Sequence, residues 1–178
     1  MNETFYKDSI VVLQGAVIEL MSKIDIMRKY QISQGFRDPI SYVTSRIKSE
    51  ESMKNKLMKK GLEPTLDNAL NKINDAVGVR IICSYIDDVY FVASKLKQYS
   101  NIKILKEKDY IKNPKENGYR SYHINIILNL DIVGQIHKVK CEIQIRTIAM
   151  DCWASLENQL KYMKNIQSEE IIIKELKR

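Results

Sequence analysis

Near the start of this chain apolar residues recur at three- and four-residue steps: Ile10, Leu13, Val17, Leu20, Ile24 and Met27. That spacing predicts an amphipathic helix over residues 4–30, ended by Gly35 and Pro39. Residues 41–47 are partly β-branched and predict a short extended segment. Ser49 opens a second predicted helix over about 50–60, stopped by Gly61 and Pro64, and a shorter helix is expected over 66–75. The pattern then gives a buried strand at 77–85, a helix at 87–99 and a strand at 102–106. Two longer strands follow at 119–129 and 136–147, with a turn near Gly134 that makes them a hairpin. A helix over 148–164 and a short helical end complete the chain. Strand, helix, strand and hairpin in this order predict an α+β fold: a mixed, roughly five-stranded sheet flanked by helices.

The two long strands carry most of the chemistry. Along 119–129, Ser121, His123 and Asn125 fall on one face, and Tyr122, Ile124, Ile126 and Leu128 on the other. Along 140–147, Glu142, Gln144 and Arg146 share a face while Cys141, Ile143 and Ile145 point to the core. An ordinary solvated sheet face would show the same alternation. The preceding segment, DYIKNPKENGYRSYH from Asp109 to His123, breaks that tie. Asn113-Pro114 and Asn117-Gly118 mark turns there, and a lysine, an aromatic ring and one of only two histidines converge at a strand mouth. Such a group suits a nucleobase with phosphates attached.

Composition narrows the field. A chain of 178 residues with 44% hydrophobic and 29% charged residues builds one cored domain and is neither disordered nor membrane-spanning. No apolar run reaches transmembrane length, and Gln14 and Glu19 interrupt any signal-peptide core, so the cytoplasm is the expected compartment. Cys83, Cys141 and Cys152 have no metal or disulfide spacing and are expected to be reduced core thiols. The net charge of +7 favours an anionic partner, nucleotide or RNA, without choosing between them.

Three further clusters bear on function. Arg46, Lys48, Ser52, Lys54 and Lys56 sit where an extended segment enters a helix, an arrangement that can cradle a polyphosphate or simply be a wet lysine-rich face. Asp75 and Arg80 bracket the start of the 77–85 strand, with Gly78 allowing close backbone approach. Asp75 and Glu142 are two carboxylates in a basic chain, as expected of a Mg²⁺ site completed by phosphate oxygens, provided their strands are neighbours. There is no glycine-rich phosphate loop and no His-Asp dipeptide.

Taken in order, SRIKSEESMKNK, INDAVGVRI, EKDYIKNPKENGYRSYH, EIQIRTIAMDCWASLE and LKYMK resemble the synthetase domain of the RelA/SpoT family, above all its single-domain small alarmone synthetases. The resemblance covers about residues 35–164, with 1–34 as an N-terminal helix and 165–178 as a C-terminal extension, and implies a nucleotidyltransferase-like fold. It also implies transfer of the β,γ-pyrophosphate of ATP, with Mg²⁺, to the 3′-hydroxyl of GDP or GTP (GMP being a further acceptor), giving (p)ppGpp and AMP with no hydrolase activity. Arg46 and Arg80 would sandwich adenine, Lys48, Ser52, Lys54 and Lys56 would grip the ATP phosphates, and Asp75 and Glu142 would hold the metal. Glu142 would also activate the acceptor hydroxyl. Tyr119 would stack on guanine, with Lys115, Asn117 and His123 around the acceptor, and Lys108, Arg120, Gln144 and Arg146 in support.

Asn158 and Met163 depart from the family pattern in the last helix. Relatives form tetramers through two long C-terminal helices, whereas only residues 165–178 remain here, so that homo-oligomer is not expected. Two competing readings share the residues: the same donor chemistry on an adenine nucleotide or a tRNA 3′ end, and a silent basic RNA-binding module.

Overall fold

The computed structural model describes residues 5–162; the expected short helical end at 165–178 lies outside them. The elements are α1 (Ser9–Ser33), β1 (Ile40–Ile47), α2 (Glu50–Lys59), α3 (Leu66–Lys72), β2 (Val77–Cys83), α4 (Ile86–Leu96), β3 (Ile102–Asp109), β4 (Tyr122–Ile132), β5 (Gln135–Thr147) and α5 (Ile148–Tyr162). The strands form one five-stranded mixed sheet in the order β1-β2-β5-β4-β3. β2 and β5 run parallel, and the other three pairings are antiparallel.

Alternation in the strands builds the core. Val77, Val79 and Ile81 of β2, Cys141, Ile143 and Ile145 of β5, and Ile124, Ile126 and Leu128 of β4 are all buried. α1 and α4 pack against these strands. α1 buries Leu13, Leu20, Ile24 and Met27, as its spacing predicts, together with Ala16. It starts at Ser9 rather than residue 4 because Lys7 takes a positive φ of 46°. That turn lets the Phe5 N–H donate to Glu50 and the Tyr6 hydroxyl to the Lys48 carbonyl, tying the chain start to the junction of β1 and α2.

Three boundaries move in ways that matter for the site. α3 ends at Lys72, short of Asp75, because Ile73 is extended and fully buried, which pulls the chain straight into β2. β3 runs on to Asp109, through an irregularity between Ile104 and Lys106. β4 begins only at Tyr122, so Tyr119 belongs to the preceding loop, after Gly118 at φ 85°. One expectation fails: Cys83 and Cys141 are buried, burial pushing both thiols up to about 12, but Cys152 is exposed, because its position on α5 faces away from the sheet. Among the described residues no helix is long and apolar enough to cross a membrane.

The β4–β5 hairpin turns through Val133 and Gly134 alone, with φ of 51° and 80°. Asp131 accepts the Gly134 N–H at 2.7 Å. A β-branched residue is strained at positive φ, and Val133 is 99% exposed, so nothing is gained in return. Val133→Asn, which creates the Asn-Gly pair such turns prefer, is expected to stabilise the protein by about 1 kcal/mol in urea denaturation without altering activity. A variant no more stable than the parent would show the turn to be unstrained.

Candidate active site

The polar ends of the strands meet on the sheet face opposite α1 and α4. Across the sheet, Arg46 lies opposite Gly78, Gly78 opposite Glu142, and Glu142 opposite Asn125. Arg46 lies across Gly78: a Cβ there would be in ordinary van der Waals contact, 3.6 Å from Arg46 Cγ. Arg46, Asp75, Arg80, Glu142 and Gln144 line one open cleft. The parallel pairing of β2 and β5 therefore supplies what the two carboxylates needed, neighbouring strands.

At one end of the cleft, Asp75 Oδ2 accepts from Lys56 at 2.7 Å and lies 3.0 Å from Lys48 Nζ. Its other oxygen is buried and has no hydrogen-bond partner. Arg80 Nε and Asn125 Oδ1 are likewise buried and unpartnered. Each such atom costs roughly 1–3 kcal/mol, and two of them, on Asp75 and Arg80, belong to residues that line the cleft, which suits a place where something else binds. Among the described residues no group of three or more His, Cys, Asp or Glu side chains gathers to hold a metal. Two carboxylates, one with an orphaned oxygen, fit a hard cation that takes its remaining ligands from phosphates and water.

At the centre, Glu142 Oε1 accepts from Gln144 at 2.6 Å, and Oε2 lies 3.8 Å from His123 Nδ1. Burial alone would raise the pKa of Glu142, but hydrogen bonds from His123 and Gln144 and the charges of His123 and Lys56 win and hold it at about 2. The carboxylate is thus ionised throughout the neutral range.

At the far end, Tyr119 is half-buried, its ring edge-on to Trp153 and Tyr110 rather than sunk in the core. Its hydroxyl accepts from Arg146 Nη2 at 2.5 Å and is 2.9 Å from His123 Nε2. Lys115 and Arg146 both sit over the ring, at 4.7 and 5.1 Å from its centroid. Asn117 shapes the turn: its Oδ1 accepts the Tyr119 N–H, and its Nδ2 donates to Glu157. Ser121, expected on the same face as His123, is fully buried and hydrogen-bonded to Arg146.

Other residues singled out in the sequence are not drawn into the cleft. Lys54 pairs with Glu50 one helical turn away and lies over Phe5. The α2 N-terminus is capped by Ser49, which accepts the Ser52 N–H, and Glu50 and Glu51 occupy its first turn. Carboxylates there compete with any anion for the helix dipole, and Lys48 and Lys56 instead converge on Asp75. Lys108 reaches over the Tyr110 ring, and Arg120 is exposed. Asn125 was legible as a face-mate of His123 but carried no chemical signal of its own. Asp151, in the first turn of α5, receives hydrogen bonds from both Arg80 and Arg146, a role that emerges only when β2, β5 and α5 are assembled.

The family model described as "Region found in RelA / SpoT proteins" matches residues 45–167. The chain belongs to the RelA/SpoT family. It is 44% identical to the GTP pyrophosphokinase YwaC of Bacillus subtilis, over 97% of this chain and 82% of that protein. Its fold matches the crystal structure of small alarmone synthetase 2 from Bacillus subtilis with a TM-score of 0.81 and 42% identity, over 96% of this chain and 88% of that one. Small alarmone synthetase 1 from the same organism, solved bound to its product pppGpp, matches with a TM-score of 0.80 and 34% identity, over 93% and 84%. Within the RelA/SpoT sheet, then, Arg46, Asp75, Arg80, Glu142 and Gln144 line the cleft, and Gln144 links it through Arg146 to Tyr119.

The depressed pKa of Glu142 has a measurable consequence. Relative to a neutral side chain, an ionised Glu142 contributes stability that is fully present above about pH 4.5 and is lost as pH falls towards 2. Urea midpoints of the parent and Glu142→Gln are expected to differ more at pH 7 than at pH 3. An unchanged gap would mean that the carboxyl titrates at its ordinary value.

Proposed function

We infer that this chain is a GTP pyrophosphokinase: the 3′-oxygen of GDP or GTP attacks the β-phosphorus of ATP, the bond to the α-phosphate oxygen breaks, and (p)ppGpp and AMP leave. The observation that carries this reading is the adjacency of β2 and β5, with Asp75 and Glu142 lining one cleft together with Arg46 and Arg80. Its kinship to a GTP pyrophosphokinase and to a product-bound synthetase supports the same conclusion.

Each end of the cleft suits one nucleotide. Arg46 and Arg80 project from adjacent strands on the same face, and their planar guanidinium groups suit stacking on adenine. Lys48 and Lys56 then lie where the donor phosphates run. Tyr119, with its ring already bracketed by cations, offers a stacking surface for guanine, and Lys115 can follow the acceptor phosphates. Glu142 lies between the two ends. Gln144 holds one of its oxygens and His123 faces the other, fixing the carboxylate where the acceptor hydroxyl would approach. Held near a pKa of 2, it is a weak base. That suffices for phosphoryl transfer through a loose transition state, where the proton leaves late and positioning dominates. Asp75 and Glu142 would hold a divalent cation, Mg²⁺ by the preference of such oxygen sites, which when bound neutralises charge on the transferring phosphates. A silent RNA-binding module would have no use for two carboxylates beside its cations.

Incubation with labelled ATP and GDP, GTP or GMP is expected to yield AMP and a 3′-pyrophosphorylated guanine nucleotide. The reaction should stop on chelation and resume with Mg²⁺; labelled product on an adenine nucleotide or tRNA instead would overturn the acceptor assignment. Glu142→Gln should lower kcat by roughly 100-fold or more. Tyr119→Ala should raise the acceptor KM by about 5- to 150-fold, as loss of one base–aromatic stack predicts, and leave the ATP KM alone. A change confined to ATP would remove the tyrosine from the guanine subsite.

A further inference from the structure

The two purine ends of the cleft are joined by a carboxylate that belongs to neither. Asp151 Oδ1 accepts from Arg146 Nη1 at 3.0 Å and from Arg80 Nη1 at 3.3 Å. Its Oδ2 accepts from the Tyr42 hydroxyl at 2.8 Å. The side chain is only 14% exposed. Arg80 belongs to the adenine end, and Arg146 underlies the Tyr119 ring and donates to its hydroxyl. The two arginines also share Gln144 Oε1, at 3.4 and 3.0 Å. Gln144 is neutral, so it can align two guanidinium groups but cannot offset their repulsion. Burial and the charge of Arg146 both act against the charge on Arg80, and Asp151 opposes them. Among the described residues it is the carboxylate that contacts both arginines.

We propose that Asp151 is a positioning residue that couples the donor and acceptor subsites, by holding Arg80 and Arg146 on one carboxylate oxygen. This rests on the assignment of the two ends to adenine and guanine. Asp151 touches neither base, so its removal acts through the arginines. Once the carboxylate charge is gone, the guanidinium groups separate: Arg80 leaves its stacking plane, and Arg146 drags the Tyr119 hydroxyl with it. Both affinities fall together, while Glu142, held by its own contacts with Gln144 and His123, keeps its place. A carboxylate serving only the α5 helix dipole would alter stability and leave both affinities alone.

The test is nucleotide binding and kinetics on purified Asp151→Asn. The KM values for ATP and for GDP or GTP should each rise about 10-fold, the loss expected for a hydrogen bond to a charged group, with kcat changed less than about 3-fold. In an Arg80→Ala background, where the repulsion is gone, Asp151→Asn should no longer affect the ATP KM and should raise that of the acceptor less than in the parent. Unchanged KM values, a change confined to one nucleotide, or additivity with Arg80→Ala for ATP would each overturn the proposal. Should Asp151→Asn fail to fold by near-ultraviolet circular dichroism, Tyr42→Phe decides. It removes an exposed hydroxyl from the other oxygen and should weaken both nucleotides by about 2- to 3-fold; no effect sinks the inference. Calorimetric binding of each nucleotide to the parent separates the two levels. A parent that binds both while the variants bind equally well defeats only the role of Asp151, whereas a parent that binds neither defeats the functional reading beneath it.

Discussion

The parallel pairing of β2 with β5, Gly78 opposite Glu142, is the constraint on which the site depends. These strands lie far apart in sequence, and only their hydrogen-bond ladder brings the region of Asp75 beside Glu142. The core enforces the register. Val77, Val79, Ile143 and Ile145 are buried on one face, so a slip of a single residue would send Glu142 into that core and expose its isoleucines. Hydrophobic burial thus acts as the positioning device for the polar cleft. Arg46 completes the arrangement by lying across β2 at Gly78.

Around that register the polar groups close into a ring. Glu142 accepts from Gln144, Gln144 from Arg146, Arg146 donates to Tyr119, and Tyr119 meets His123, which faces the second oxygen of Glu142. Each member has at least two partners, so no side chain can turn without disturbing the next. Rigidity of this kind is what transfer by positioning requires, because little covalent chemistry is asked of the protein. The cost appears nearby, in the unpartnered atoms of Asp75, Arg80 and Asn125. Departures from full polar satisfaction concentrate at functional places, and here they follow the cleft.

Much of the fold was readable because period and punctuation agreed. Ser49, Gly61, Gly35 and the Val133-Gly134 turn mark real ends, and the alternation in β4 and β5 assigned Ile124, Ile126, Ile143 and Ile145 to the core correctly. What local pattern could not supply was partnership. Nothing in the sequence near Asp75 states that Lys48 and Lys56 share one of its oxygens, and nothing near Asp151 announces two arginines from different strands. Lys54 has the opposite lesson: it belongs to a basic cluster in sequence, yet a helical step turns it towards Glu50. Ser121 obeys the alternation but is covered by Arg146, an effect of one long side chain that period-two reasoning does not contain.

The two border strands of the sheet, β1 and β3, both carry a register irregularity, between Ile40 and Tyr42 and between Ile104 and Lys106. β3 also displays Lys103, Lys106 and Lys108 to solvent. An open row of backbone donors and acceptors recruits foreign strands, and bulges and lysines are the usual deterrents. Part of the positive charge therefore has a second use: it protects the sheet from growing sideways. Neutralising those lysines would be felt first as clumping of the protein, at sites remote from any chemistry.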